Sequence, residues 1–209
     1  MTTAHLSSAD IAQRLANQNS NSRQVPFGER IFRTVFSLSN RQPRAASVLI
    51  PLLRQEEAWH ILLIRRTEVE GDMHSGQVAF PGGATEKGDS SVVDTALRET
   101  EEEIGLQPDA VEVLGQMPTN HTISNFMLTP VVGTISWPFE IKLSENEVSR
   151  VFTIPLDWLM DEKHRRQENR RFAGLLPFDV IYFDKYDNEL LWGVSAYIMV
   201  EFLNLLRDK

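Results

Sequence analysis

Three glutamates carry the chemistry most plainly: Glu99, Glu102 and Glu103 in the stretch SSVVDTALRETEEEIGL. On a helix turning about 100° per residue their spacing gathers three carboxylates on one face. Like charges so placed repel by about a few tenths of a kcal/mol per pair, and a cation among them reverses the sign. Oxygen donors with no His or Cys nearby suit a hard ion, so Mg2+ or Mn2+ is expected rather than zinc. Arg98 can pair with Glu102 one turn on and hold that carboxylate in place. A solvated acidic face is the plain alternative for an EEE run. Context favours the metal: Phe80-Pro81-Gly82-Gly83 ends a strand at a turn where glycine removes the side-chain obstacle to a phosphate. A glycine turn, a carboxylate helix and no obvious nucleophile imply metal-assisted attack of water on a phosphoanhydride.

The elements that position these groups follow from the hydrophobic pattern. Val93, Leu97, Thr100 and Ile104 mark one face of a helix over 91–104, with Gly105 placed to stop it. Upstream, AASVLIPLL and AWHILLIRR, separated by RQEE, predict two strands of a hairpin, and QVAFPGG a brief strand. Downstream, AVEVLGQM, FMLTPVVGTI, RVFTIPL and FDVIYFD read as strands, Pro155 opens a helical turn through Met160, and a last helix starts near Gly193. Strands interleaved with helices imply an α/β or α+β domain. Residues 1–44 differ: Leu6, Ile11 and Leu15 mark a short amphipathic helix, followed by the polar NQNSNSRQVPFGER. They form an N-terminal helix and linker, with residues 45–209 as the main domain and the extension free to serve a homodimer contact.

Composition narrows the function classes. The 209 residues fit one domain plus an extension. Lys and Arg number 21 against 29 Asp and Glu, a net charge of −8, which disfavours nucleic acid as a partner. With no cysteine, disulfides, thiolate zinc sites and cysteine nucleophiles are excluded, and a reducing compartment fits. The start MTTAHLSSADIAQRL has no basic and apolar leader pattern, and no run approaches the ~20 apolar residues of a membrane span. A cytoplasmic protein with no membrane partner is expected.

The segment from Gly82 to Leu106 resembles the Nudix box, in which Gly, five residues, Glu and seven residues precede Arg-Glu-apolar-x-Glu-Glu-x-Gly-apolar. Arg98, Glu99, Glu102, Glu103, Gly105 and Leu106 match the helical half, with Thr100 at the usual apolar position. In the first half Asp89 stands for Glu, and eight residues rather than seven separate it from Arg98. LLIRRTEVEGDMHSGQVAFPGG is similar to the motif of the branch that hydrolyses coenzyme A: Leu62, Leu63, Arg66, Gly76, Phe80, Pro81, Gly82 and Gly83 match. Ile64, Thr67 and a spacer one residue longer depart from it, and Asp72 stands where the motif has Arg. SENEVSRVFTIPL and LLWGVSAYIM extend the likeness over most of residues 45–205.

The resemblance implies an α/β/α sandwich with a mixed β-sheet. It implies that Glu99, Glu102 and Glu103 hold Mg2+ or Mn2+, that Arg98 supports them, and that Arg66, Phe80, Gly82 and Gly83 meet the substrate. The proton of the attacking water would pass to Glu102, Glu103 or a later carboxylate. LSENEV offers Glu145 and Glu147, with Glu147 favoured for its place beside the VFTIP strand. Coenzyme A would yield phosphopantetheine and 3′,5′-ADP. A Nudix pyrophosphatase for another nucleoside diphosphate derivative, such as ADP-ribose or NADH, is the nearer alternative, and a noncatalytic binding module the farther one. Strand alternation puts Arg65 and Arg66 on opposite faces, with Arg66 toward substrate. His74 and His121 fall in loops near the site, and the basic KHRRQENRR reads first as a solvated loop and second as a phosphate contact.

Overall fold

The computed structural model describes residues 3–18, 42–71, 75–122, 124–172 and 176–207. Its centre is β1 (Arg44–Gln55), in which eight consecutive residues are buried. A strand buried without alternation must be covered on both faces. Val48, Ile50 and Leu52 enter one core cluster, and Leu49 and Leu53 enter a second. β2 (Ala58–Arg66) repeats the split, with Ile61 and Leu63 on the first side and Leu62 and Ile64 on the other. The turn between them places Glu56 and Glu57 at φ 47° and 64°, the left-handed twist that closes a two-residue hairpin.

Around this hairpin the sheet is mixed. β1 runs parallel to β7 (Phe126–Ile135) and antiparallel to β2, and β2 pairs with β8 (Val148–Pro155). β5 (Val111–Gln116) and β6 (Asn120–His121) lie on β7. Two short strands, β3 (Val78–Ala79) on the end of β2 and β4 (Gly82–Ala84) on the start of β1, complete eight strands among the described residues.

Helices cover the two faces. α1 (Ser8–Asn17) and α4 (Gly193–Arg207) pack on the first cluster, with the short α3 (Leu156–Met160) beside them. α2 (Val92–Ile104) covers the second. The layers are helix, mixed sheet and helix, the α/β/α sandwich expected from the sequence.

α1 is capped by Ser7 and Asp10 in a reciprocal box. Leu6, Ile11 and Leu15 are buried in the first cluster, Arg14 donates to the Leu206 carbonyl at 2.9 Å, and the Trp59 indole donates to that of Leu6 at 2.8 Å. The apolar face of α1 is therefore covered by the chain's own domain. The linker expected over the later part of residues 1–44 lies largely outside the described residues.

The basic segment expected as a loop is instead β9 (Arg165–Phe172), paired antiparallel with β10 (Leu176–Phe183). Three of its charges are matched at home: Arg165 pairs with Glu162 at 2.6 Å, and Arg166 and Arg170 share Glu168 at 3.1 and 2.7 Å. Among the described residues no helix is long and apolar enough to cross a membrane.

Candidate active site

α2 begins where Ser91 accepts from the Asp94 amide at 3.1 Å, and ends at Gly105, whose φ of 76° is open to glycine at little cost. A side chain there would also stand 2.8 Å from the Lys142 Cβ. The last turn is closed from outside: the Lys142 amide donates to the Ile104 carbonyl and the Ser144 amide to that of Glu103, each at 3.0 Å. These bonds tie the loop carrying Glu145 and Glu147 to the carboxylate end of α2.

The helix is rolled further than its apolar stripe predicts. Thr95, Ala96, Thr100, Glu103 and Ile104 are buried, whereas Val93 and Leu97 are only partly so. Thr100 fits its apolar position by donating its hydroxyl to the Ala96 carbonyl at 2.6 Å. The glutamates consequently do not share one solvated face. Side-chain exposure falls from 56% at Glu102 to 17% at Glu99, and Glu103 is 2% exposed.

Burial controls their charge. It pushes the Glu103 carboxyl up to about 8, against the pull of the Gly82 amide and the Arg66 guanidinium, with Glu99 and Glu147 adding to the push. Burial also raises Glu99, and the nearby charges of Glu102 and Glu147 act in the same direction. The charge of Glu147, on an exposed turn, thus acts on both Glu99 and Glu103. Arg66 follows Leu62 and Ile64 to this face of the sheet, whereas Arg65 turns to Glu68 and Glu189 on the other.

The two glycines make room for the carboxylates of α2. The Gly82 amide donates to Glu103 Oε2 at 2.9 Å, and a Cβ on Gly82, at φ 145°, would lie 2.3 Å from the Ser47 carbonyl oxygen. A Cβ on Gly83 would lie 2.3 Å from Glu99 Oε2. The bare turn is a seat for carboxylates. Phe80 is 2% exposed and packs in the first core cluster, so it anchors the turn from within.

Arg98 is the hub. Its Nε and Nη2 donate to Asp89 Oδ1 and Oδ2 at 2.9 and 3.0 Å. Nη2 also reaches Glu99 at 2.9 Å and the Ala84 carbonyl at 3.1 Å, and Nη1 reaches Glu102 at 3.0 Å. Asp89 is fixed in turn by the Glu86 amide and the Thr95 hydroxyl, each at 2.9 Å. These bonds, the Arg98 fork first, hold its carboxyl well below the usual carboxylate range. Asp89, whose shifted spacing gave it no secure role, is the residue that aims Arg98. His74 and Asp72 lie outside the described residues, and His121 sits on β6 against Met127.

As a metal seat the donor set fits in kind: carboxylate oxygens, two of them poorly solvated. Among the described residues no three such groups are yet gathered closely enough to hold an ion as they stand, and Arg98 spans Glu99 and Glu102.

Residues 43–176 match the model of the NUDIX domain. The Nudix hydrolase NudL of Pectobacterium atrosepticum, described as uncharacterized, is 34% identical over 176 residues, covering 80% of this chain and 85% of that protein. NudL of Shigella flexneri serotype 5b is 37% identical over 172 residues, covering 78% and 84%. Among solved structures, a MutT/nudix family protein from Enterococcus faecalis shares the fold, with a TM-score of 0.51 at 17% identity over 98% of this chain and 76% of that one.

Proposed function

The chain belongs to the NUDIX family and is a Nudix pyrophosphohydrolase, and on that premise we propose that it cleaves the pyrophosphate of coenzyme A or its derivatives, giving 3′,5′-ADP and (acyl)phosphopantetheine. The observation that carries the reading is that Glu103 and Glu99, each raised by burial and by the charge of Glu147, sit against the bare Gly82-Gly83 turn, with Arg66 acting on Glu103 and Arg98 holding Glu99 and Glu102. Coenzyme A is favoured because the Leu62-to-Gly83 motif supplies two parts of that arrangement, Arg66 and the glycine seat.

Glu99, Glu102 and Glu103 would hold Mg2+ or Mn2+, which when bound neutralises phosphate charge and lowers the pKa of a water. Arg98, aimed by Asp89, keeps Glu99 and Glu102 in place. The exposed Glu147 carboxylate is free of the sheet's core and takes the proton of the attacking water. Arg66 presents a guanidinium to the pyrophosphate from the strand end. The cysteine-free chain suits a reducing compartment, and we place the reaction in the cytoplasm.

One observation favours a second reading: Asp72 stands where the coenzyme A motif has a cation, which would suit a nucleoside diphosphate derivative such as ADP-ribose. Incubation of the purified protein with Mg2+ or Mn2+ and coenzyme A, ADP-ribose, NADH or dATP separates the two. Turnover dominated by coenzyme A supports the first; equal or greater turnover of ADP-ribose supports the second.

A further inference from the structure

β2 and β8 carry two arginines directly opposite one another, Arg65 and Arg150, and their register slips just beyond, where Arg66 meets Val148. Two guanidiniums facing each other across strands repel. Glu189 lies against both: it accepts from Arg150 at 3.0 Å and lies 3.5 Å from Arg65, with only 6% of its side chain exposed.

Glu189 is delivered by a tight turn. Tyr186 and Glu189 exchange backbone hydrogen bonds of 3.0 and 2.9 Å, and Asp187 and Asn188 between them take φ of 51° and 65°, a region that Asp and Asn tolerate. Arg150 also donates to the Asp187 carbonyl at 3.2 Å and to its carboxylate, so the turn is fastened to β8.

On the other side of the slip the same strand ends hold the candidate site. The Thr67 amide donates to the Glu147 carbonyl at 2.9 Å, the Thr67 hydroxyl to that of Glu145 at 2.8 Å, and the Ser149 hydroxyl to that of Arg65 at 3.2 Å. Separation of the strand ends would displace Arg66 and Glu147 together.

We propose that Glu189 is a positioning residue: by neutralising Arg65 and Arg150 it keeps the β2–β8 slip closed and fixes where Arg66 and Glu147 stand against the carboxylates of α2. The inference rests on the pyrophosphohydrolase reading for its kinetic consequence and on the Thr67–Glu147 bond for its structural one.

The test is Glu189→Gln in the full chain, which keeps shape and removes charge. Turnover of coenzyme A falls roughly ten- to hundredfold, as for a small misplacement of catalytic groups. The Mg2+ concentration for half-maximal activity rises, and hydrogen exchange of the Thr67 amide quickens. Arg65→Met added to Glu189→Gln removes the repulsion and recovers most of the activity and protection, which a general loss of stability would not do. Unchanged Thr67 exchange and an unchanged Mg2+ midpoint in Glu189→Gln would overturn the proposal, as would a double variant no better than the single. If Glu189→Gln does not fold, a folded and active double variant upholds the proposal and an unfolded one overturns it. If the unmutated protein cleaves no phosphoanhydride, the functional reading falls, while Thr67 exchange still decides the role of Glu189.

Discussion

At the scale of single residues, Glu103 joins burial to chemistry. Its carboxyl, 2% exposed beside Glu99 and Glu147, is raised by burial to about 8 from an ordinary 4.5, so the metal-free folded protein holds that proton more tightly than the unfolded chain. The stability this contributes is full below pH 4.5 and lost as pH rises through 8, since the folded state then must surrender a proton it holds more tightly. Metal-free protein should therefore melt at progressively lower temperature between those limits, and Glu103→Gln should flatten the slope; a slope unaltered by the substitution would remove Glu103 as its source. Mg2+ should restore alkaline stability and release protons on binding, readable by calorimetry in buffers of different ionisation heat. Glu102, exposed and held by Arg98, is a separate case. Glu102→Gln should leave melting nearly unchanged and lower turnover at least about a hundredfold; full retained activity would refute the metal assignment.

At the scale of elements, the glycine turn and α2 act as one unit. Gly83→Ala would push on the far end of the Glu99 side chain, which can move, so the fold should survive and turnover fall roughly ten- to hundredfold. Gly82→Ala would push on the Ser47 backbone at a φ few side chains adopt, so folding itself should fail. Soluble yield and turnover of the two variants check the contrast, and an active, stable Gly82→Ala would contradict it. Much of this unit was legible: the apolar spacing from Val93 to Ile104 and the stop at Gly105 bounded the helix to within a residue, because periodicity and stops are local chemistry. Asp89 was not, because one extra residue before Arg98 moved it out of the expected spacing, and only its bidentate grip on Arg98 reveals its part. The burial of Phe80 was not legible either, because sequence adjacency to a glycine turn says nothing of which way a ring points. β9 was hidden by its charges, since RRQENRR has none of the apolar alternation that marks a strand and pairs through its backbone.

At the scale of the whole molecule, two cores on opposite faces of one sheet divide the labour. The α2 side carries the carboxylates, while α1 and α4 close the other. The continuous apolar run of β1 made that double burial readable, but nothing in the polar linker after α1 announced that α1 folds back onto α4. Ile11→Ala, at a position fully buried in the first core, should cost about 2–5 kcal/mol in denaturant unfolding while sparing turnover of the folded fraction. An unchanged unfolding midpoint would mean that α1 is not part of the cooperative domain. The account as a whole meets its most direct test in phosphorus NMR of coenzyme A incubated with the full chain and Mg2+. It predicts that the pyrophosphate signals vanish and new monoester signals of 3′,5′-ADP and phosphopantetheine replace them; an intact pyrophosphate, or loss of the 3′-phosphate alone, would contradict it.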